Sequence, residues 1–147
     1  MAETEVKEVL DMTHVTLVGE DVALLEGLAQ VLATLGHAPT VARSLGEARE
    51  LCAARPPLVL VADRALASSA GAELLSVPLA AGGARVLYRT ASVPLAPLLP
   101  ALQRAVLADL TLPLERHRLA ALIQSVGERS RLTGRASRHT PTEGRAI

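Results

Sequence analysis

An α/β fold, a parallel sheet enclosed by helices on both faces, is the class this sequence predicts, on three observations. Short apolar runs alternate with helix-like segments five times along the chain, the pattern of strands joined by crossover helices. The run Leu58-Val59-Leu60-Val61-Ala62 is apolar without interruption, as a strand covered on both faces must be. Half of the 147 residues are hydrophobic and the aromatic content is a single tyrosine. That is enough for one domain, with a core of Leu, Val and Ala.

Residues 1–12 are largely acidic and carry no core pattern, so they read as a flexible leader to a domain spanning 13–129. The first strand is His14 to Val18, closing on Gly19-Glu20-Asp21. Leu24, Leu28, Val31, Leu32 and Leu35 then recur at helical spacing, and Gly36 is placed as the C-terminal stop. Thr40 to Ala42 forms a short second strand. Ser44 caps a helix through Ala54, with Glu47 in the capping-box position and Pro56-Pro57 ending it. Leu58 to Ala62 is the central strand. After Asp63 a loop is expected through Gly71, then a short helix around Ala72 to Leu79 and a break at Gly82-Gly83. Arg85 to Thr90 is the fourth strand. The fourth helical segment, Ser92 to Val106, contains Pro94, Pro97 and Pro100, and the last should shorten or kink it. Ala108 to Leu112 is the fifth strand, and Glu115 to Arg129 a closing helix with Leu119, Leu122, Ile123 and Val126 inward. Residues 130–147 are rich in Arg, Ser, Thr and Gly without periodicity, and are expected to be a disordered basic tail.

Composition removes several functions. Fifteen basic and fifteen acidic residues give no net charge, and with it no broad positive field for nucleic acid. The lone Cys52 cannot form an internal disulfide, and no basic and apolar leader pattern opens the chain. No apolar stretch reaches the ~20 residues of a membrane span. A cytoplasmic protein with neither a membrane nor a nucleic-acid partner is expected. Scarce Lys beside abundant Ala, Leu and Arg fits a GC-rich bacterial coding sequence. His14, His37, His117 and His139 lack metal-ligand spacing.

Several residues taken jointly resemble the receiver domain of two-component response regulators, over roughly Val15 to Arg129. Glu20 and Asp21 follow the first strand as that family's acidic pocket does. Pro56 through Asp63 is similar to its third strand and phosphoacceptor, and Gly71, Thr90 and Pro113 fall at matching distances. The resemblance implies a flavodoxin-like doubly wound (βα)5 sandwich with a parallel five-stranded sheet. It also implies chemistry at Asp63. A carboxylate accepts a phosphoryl group when a magnesium ion held by neighbouring carboxylates neutralises the phosphoryl oxygens, a lysine pairs with the product, and a hydroxyl, here Thr90, moves to bond it. No other cofactor is required.

The chain departs from that pattern at four positions. Gly19 stands at the first acidic position, leaving Glu20 and Asp21 as the metal candidates. Leu112 stands before Pro113, where the lysine is needed, and the one lysine of the chain is Lys7. Asp109 replaces the aromatic switch residue, and Ala67 the proline four residues after the acceptor. Arg64 and Arg89 are the nearest substitute cations, although neighbouring strand residues face opposite ways. Bland readings stand beside these. Asp63 also suits an N-cap or turn acid, Glu20 and Asp21 suit caps of the first helix, and Tyr88 and Cys52 suit packing.

A second surface lies after Thr90. Leu95, Leu98 and Leu99 sit among the three prolines, and Arg116 lies on the closing helix. In receivers the face of fourth helix, fifth strand and fifth helix binds signalling partners or a second copy, and a stiffened apolar segment loses less entropy on docking. The favoured function is therefore an atypical, non-enzymatic receiver-like module that works by protein contacts without relying on phosphorylation. The alternative is a working phosphoacceptor, with Asp63 taking phosphate from a histidine kinase and Glu20 holding Mg2+. A small flavodoxin-like enzyme or nucleotide binder ranks last, since no glycine-rich phosphate loop is present.

Overall fold

The computed structural model describes residues 12–90 and 98–146, without the side chains of 68–71 and 134–146. Strands β1 (His14–Val18), β2 (Ala38–Ala42), β3 (Val59–Asp63), β4 (Ala84–Thr90) and β5 (Val106–Leu112) alternate with helices α1 (Val22–Thr34), α2 (Leu45–Ala54), α3 (Arg64–Ser76), α4 (Pro100–Ala105) and α5 (Arg116–Ala146). All five strands are parallel, in the order β2-β1-β3-β4-β5. This is the predicted doubly wound class, with its topological switch between β1 and β3.

Side-chain alternation along the strands divides the interior into two layers. Val15, Leu17, Val59, Val61, Val86, Tyr88, Leu110 and Leu112 face α1 and α5, against Leu25, Leu28, Leu32, Leu119, Ile123 and Val126. Val18, Leu60, Ala62 and Leu87 face the other way, against Leu45, Ala48 and Cys52 of α2, Ala67 and Leu74 of α3, and Leu102 of α4. In β3 the residues Val59 to Ala62 are all buried, so the unbroken apolar run has the two covered faces it predicted.

Local signals set most boundaries. Ser44 Oγ accepts from the backbone N–H of Glu47 at 3.1 Å, and Gly36 has φ of +92°, the left-handed backbone expected just past a helix end. Pro39 lies inside β2, which is tolerated because β2 is an edge strand; β2 therefore starts two residues before Thr40. Helix α3 lacks a glycine stop. Arg85 supplies one from β4, its Nε and Nη2 donating to the carbonyls of Leu74 (3.3 Å), Leu75 (2.8 Å) and Val77 (2.9 Å). Helix α5 closes against the start of β1 at Gly127, where a Cβ would lie 2.5 Å from Thr13 Oγ1.

Three expectations are corrected. The inward face of α1 is Leu25, Leu28 and Leu32, while Val31 and Leu35 are 45% and 53% exposed. Adjacent Leu24 and Leu25 allow two registers of the stripe, and the cap at Asp21 sets the other one. The loop expected after Asp63 is absent, because α3 begins at Arg64 and absorbs Gly71. Pro100 shortens the fourth helix, as expected, by opening α4 at its first position; Pro94, Pro97 and Leu95 lie outside the described residues, as do residues 1–11 of the leader. The helix expected to end at Arg129 continues to Ala146.

Two predictions follow from these contacts. Arg85→Met should lower the unfolding free energy by about 2 to 3 kcal/mol, because the carbonyls at the end of α3 lose a charged donor; urea denaturation with an unchanged slope checks this. Burial, with Arg131 nearby, pushes the pKa of His37 below its ordinary value, and burial with Arg55 does the same to His14. Between the lowered folded value and about 6.5 the unfolded chain binds more protons. Stability should therefore be unaffected by these groups above pH about 6.5 and fall as pH drops below it, with a shallower fall in His37→Gln when denaturation is followed from pH 7 to 5.5.

Candidate functional site

The crevice at the switch point is built from the carboxyl ends of β1, β3 and β4. Val18 pairs with Ala62 across β1 and β3, and Asp63 with Tyr88 across β3 and β4. Gly19, Asp63 and Tyr88 therefore sit side by side, on the face of the sheet covered by α1. Both aspartates near this edge act as helix caps. Asp63 Oδ1 accepts from the N–H of Ala65 at 2.9 Å, opening α3, and Asp21 Oδ1 accepts from the N–H of Leu24 at 3.2 Å, opening α1. Glu20, between them in the family pattern, is exposed.

Tyr88 occupies the space beside Gly19. A Cβ on Gly19 would lie 2.1 Å from Tyr88 Oη and 3.3 Å from its Cζ. The ring is 1% exposed, and among the described residues its hydroxyl has no hydrogen-bond partner. Burial first, then the carboxylates of Asp63 and Asp21, drives the phenol's pKa far above its usual range. The hydroxyl is neutral at any physiological pH.

Structural comparison places this fold among known proteins. NtrX from Brucella abortus, solved with ADP, matches with a TM-score of 0.66 at 17% identity over 90% of this chain and 30% of its own. A response regulator receiver domain from Clostridium thermocellum matches at 0.61 and 14%, over 83% of this chain and 99% of its own. A CheY-like receiver domain from Methylobacillus flagellatus matches at 0.60 and 17%, over 78% and 98%. The chain has the receiver-domain fold. It thus spans less than a third of NtrX but nearly the whole of the isolated receivers. No protein-family model and no curated protein matches the sequence.

Asp63, the phosphoacceptor candidate of the sequence, serves here as the N-cap of α3. Thr90 ends β4, half-buried, in register with Leu112 of β5. Leu112 is 0% exposed, packed in the α1/α5 layer. Magnesium requires near-octahedral oxygen ligands, and among the described residues no three His, Cys, Asp or Glu side chains converge as a metal site. Glu20 and Asp21 are therefore not assembled with Asp63 into one. With the Tyr88 phenol filling the space beside Gly19, the residues present do not fit the ion.

The substitute cation at Arg64 is committed elsewhere. Its guanidinium pairs with the carboxylate of Asp109 on β5, the two side chains being 11% and 30% exposed. Asp109 lies on the α3/α4 side of the sheet, opposite Asp63, so Arg64 turns away from the crevice. Ala67, at the family's proline position, is 1% exposed inside α3, where a small residue lets the helix sit on β3.

On the second surface, Leu98 packs partly into the core and Leu99 is 53% exposed at the start of α4. Arg116 is exposed at the start of α5, and Leu107 on edge strand β5 is 45% exposed. The sequence reading missed the positions of Tyr88 and Arg64. The signal available was the pairing of a glycine at an acidic position with the chain's sole aromatic two residues before Thr90.

Because the Asp63 carboxylate caps α3, Asp63→Ala should cost about 1 kcal/mol while Asp63→Asn, an equally good cap, should stay within about 0.5 kcal/mol of the parent. Equal losses in both variants under urea would show that the cap is not what the side chain contributes.

Proposed function

We propose that this chain is a non-enzymatic, receiver-like signalling module that acts by protein contacts and holds its state without phosphorylation. The observation that carries this reading is Leu112: the position from which a lysine would neutralise an aspartyl phosphate is a fully buried leucine. A doubly charged phosphoryl group on Asp63 would meet no cation from β5, whose residues Val106–Leu112 include no Lys or Arg. Arg64 does not substitute, being paired with Asp109. Magnesium is not needed for the module's state on this reading.

The same ion pair supports a fixed state. It ties the first residue of α3 to the outer strand β5 across β4. In receivers the position of Asp109 reports events at the acceptor, and here it is held by a partner of opposite charge. The surface offered to a signalling partner, or to a second copy, is the α4, β5 and α5 face, on which Leu99, Leu107 and Arg116 are each exposed.

The placement of Asp63 at the carboxyl end of the central strand favours the alternative, a phosphoacceptor fed by a histidine kinase. Intact mass after incubation with Mg2+ and a small-molecule phosphodonor, beside Asp63→Asn, separates the two. The expected result is no gain in either protein. A gain of one phosphoryl group in the parent, absent from Asp63→Asn, would overturn the phosphorylation-independent reading.

A further inference from the structure

On the reading proposed above, we infer that Tyr88 determines what the crevice can hold: its phenol takes the place of the carboxylate missing at Gly19 and closes the pocket to divalent cations. The two residues form one steric unit. A side chain at position 19 would put its Cβ 2.1 Å from Tyr88 Oη and 3.4 Å from Leu25 Cδ1, so a carboxylate there and a tyrosine at 88 cannot share the pocket. Nor has the ring room to retreat. It is 1% exposed, in the same packed layer as Leu25 and Leu112, both 0% exposed.

The chemistry of the replacement matters as much as its volume. A divalent cation is held by several anionic or carbonyl oxygens. Tyr88 brings a neutral hydroxyl instead, and the carboxylates nearest it in the field, Asp63 and Asp21, already accept backbone N–H groups at the starts of α3 and α1. A cation entering beside Gly19 would have to expel a buried aromatic ring and compete with two helix caps. Leucine at 112 suits this arrangement, since an apolar neighbour leaves a neutral phenol undisturbed.

Two measurements on the full chain test the plug. The first is a double-mutant cycle. Gly19→Ala should reduce the folding equilibrium constant by about tenfold or more through overpacking, and the loss should largely vanish in Tyr88→Phe, which removes only the hydroxyl oxygen responsible for the 2.1 Å contact. The second is Mn2+ titration by calorimetry. The parent should bind none at the crevice, and Gly19→Asp combined with Tyr88→Leu should gain binding at least about tenfold tighter, as an added carboxylate and vacated volume require. Zero coupling in the cycle would overturn the inference. So would parent protein that binds Mn2+ as tightly as the double variant, or a folded double variant with no gain. Should the double variant not fold, the milder cycle with Tyr88→Phe decides. Phosphoryl uptake at Asp63 in the parent would overturn the functional reading, whereas zero coupling without such uptake would overturn the plug alone.

Discussion

Strand β3 carries four consecutive buried residues, Val59 to Ala62, and a strand with no polar face has to be covered by helices on both sides. That requirement sets the rest of the architecture. It places β1 and β4 as neighbours, sends α1 and α5 to one face and α2, α3 and α4 to the other, and divides the leucines and valines into two layers. It also decides where polarity can begin. The first residue of β3 to escape burial is Asp63, at the edge where parallel strands release their backbone groups and helices start, so a carboxylate there meets orphan N–H donors whatever else it does.

The crevice follows from how charge is distributed along that edge. Phosphoryl chemistry on a carboxylate depends on concentrating charge: several carboxylates around one cation, and a second cation for the product. Here each group is satisfied separately. Asp63 and Asp21 are turned to helix starts, Arg64 crosses to Asp109 on the opposite side of the sheet, and the space between is filled by a neutral phenol. Committing these charged groups pairwise favours one arrangement, with the Tyr88 hydroxyl buried between them and, among the described residues, without a hydrogen-bond partner.

The fold was legible in the sequence because it depends on patterns that survive local errors. The apolar run at β3, the cap at Ser44, the glycine at 36 and the inward stripe of Leu119, Ile123 and Val126 each act through periodicity or backbone preference. The failures share a different cause. The register of α1 turned on adjacent leucines of equal hydrophobicity, and the missing loop after Asp63 turned on whether a carboxylate would nucleate a helix at once. At the site, Gly19 and Leu112 were visible as departures, but a one-dimensional reading cannot show which side chain moves into a vacated position. Tyr88 lies 69 positions from Gly19 in sequence, and only the pairing of β1, β3 and β4 brings them together.

A switch needs two packings close in free energy and a ligand that binds one of them much better; driving a two-state equilibrium from 1:99 to 99:1 takes about 5.5 kcal/mol of differential binding. In the proposed module both requirements are weakened by the same substitutions. A phosphoryl group deprived of a cation at Leu112 has little with which to favour one packing. The Arg64 to Asp109 pair and the buried Tyr88 ring raise the free energy of any packing that separates α3 from β5 or opens the crevice. The surface of α4, β5 and α5 is then presented continuously, and what regulates the output is the supply of the partner rather than the state of the domain.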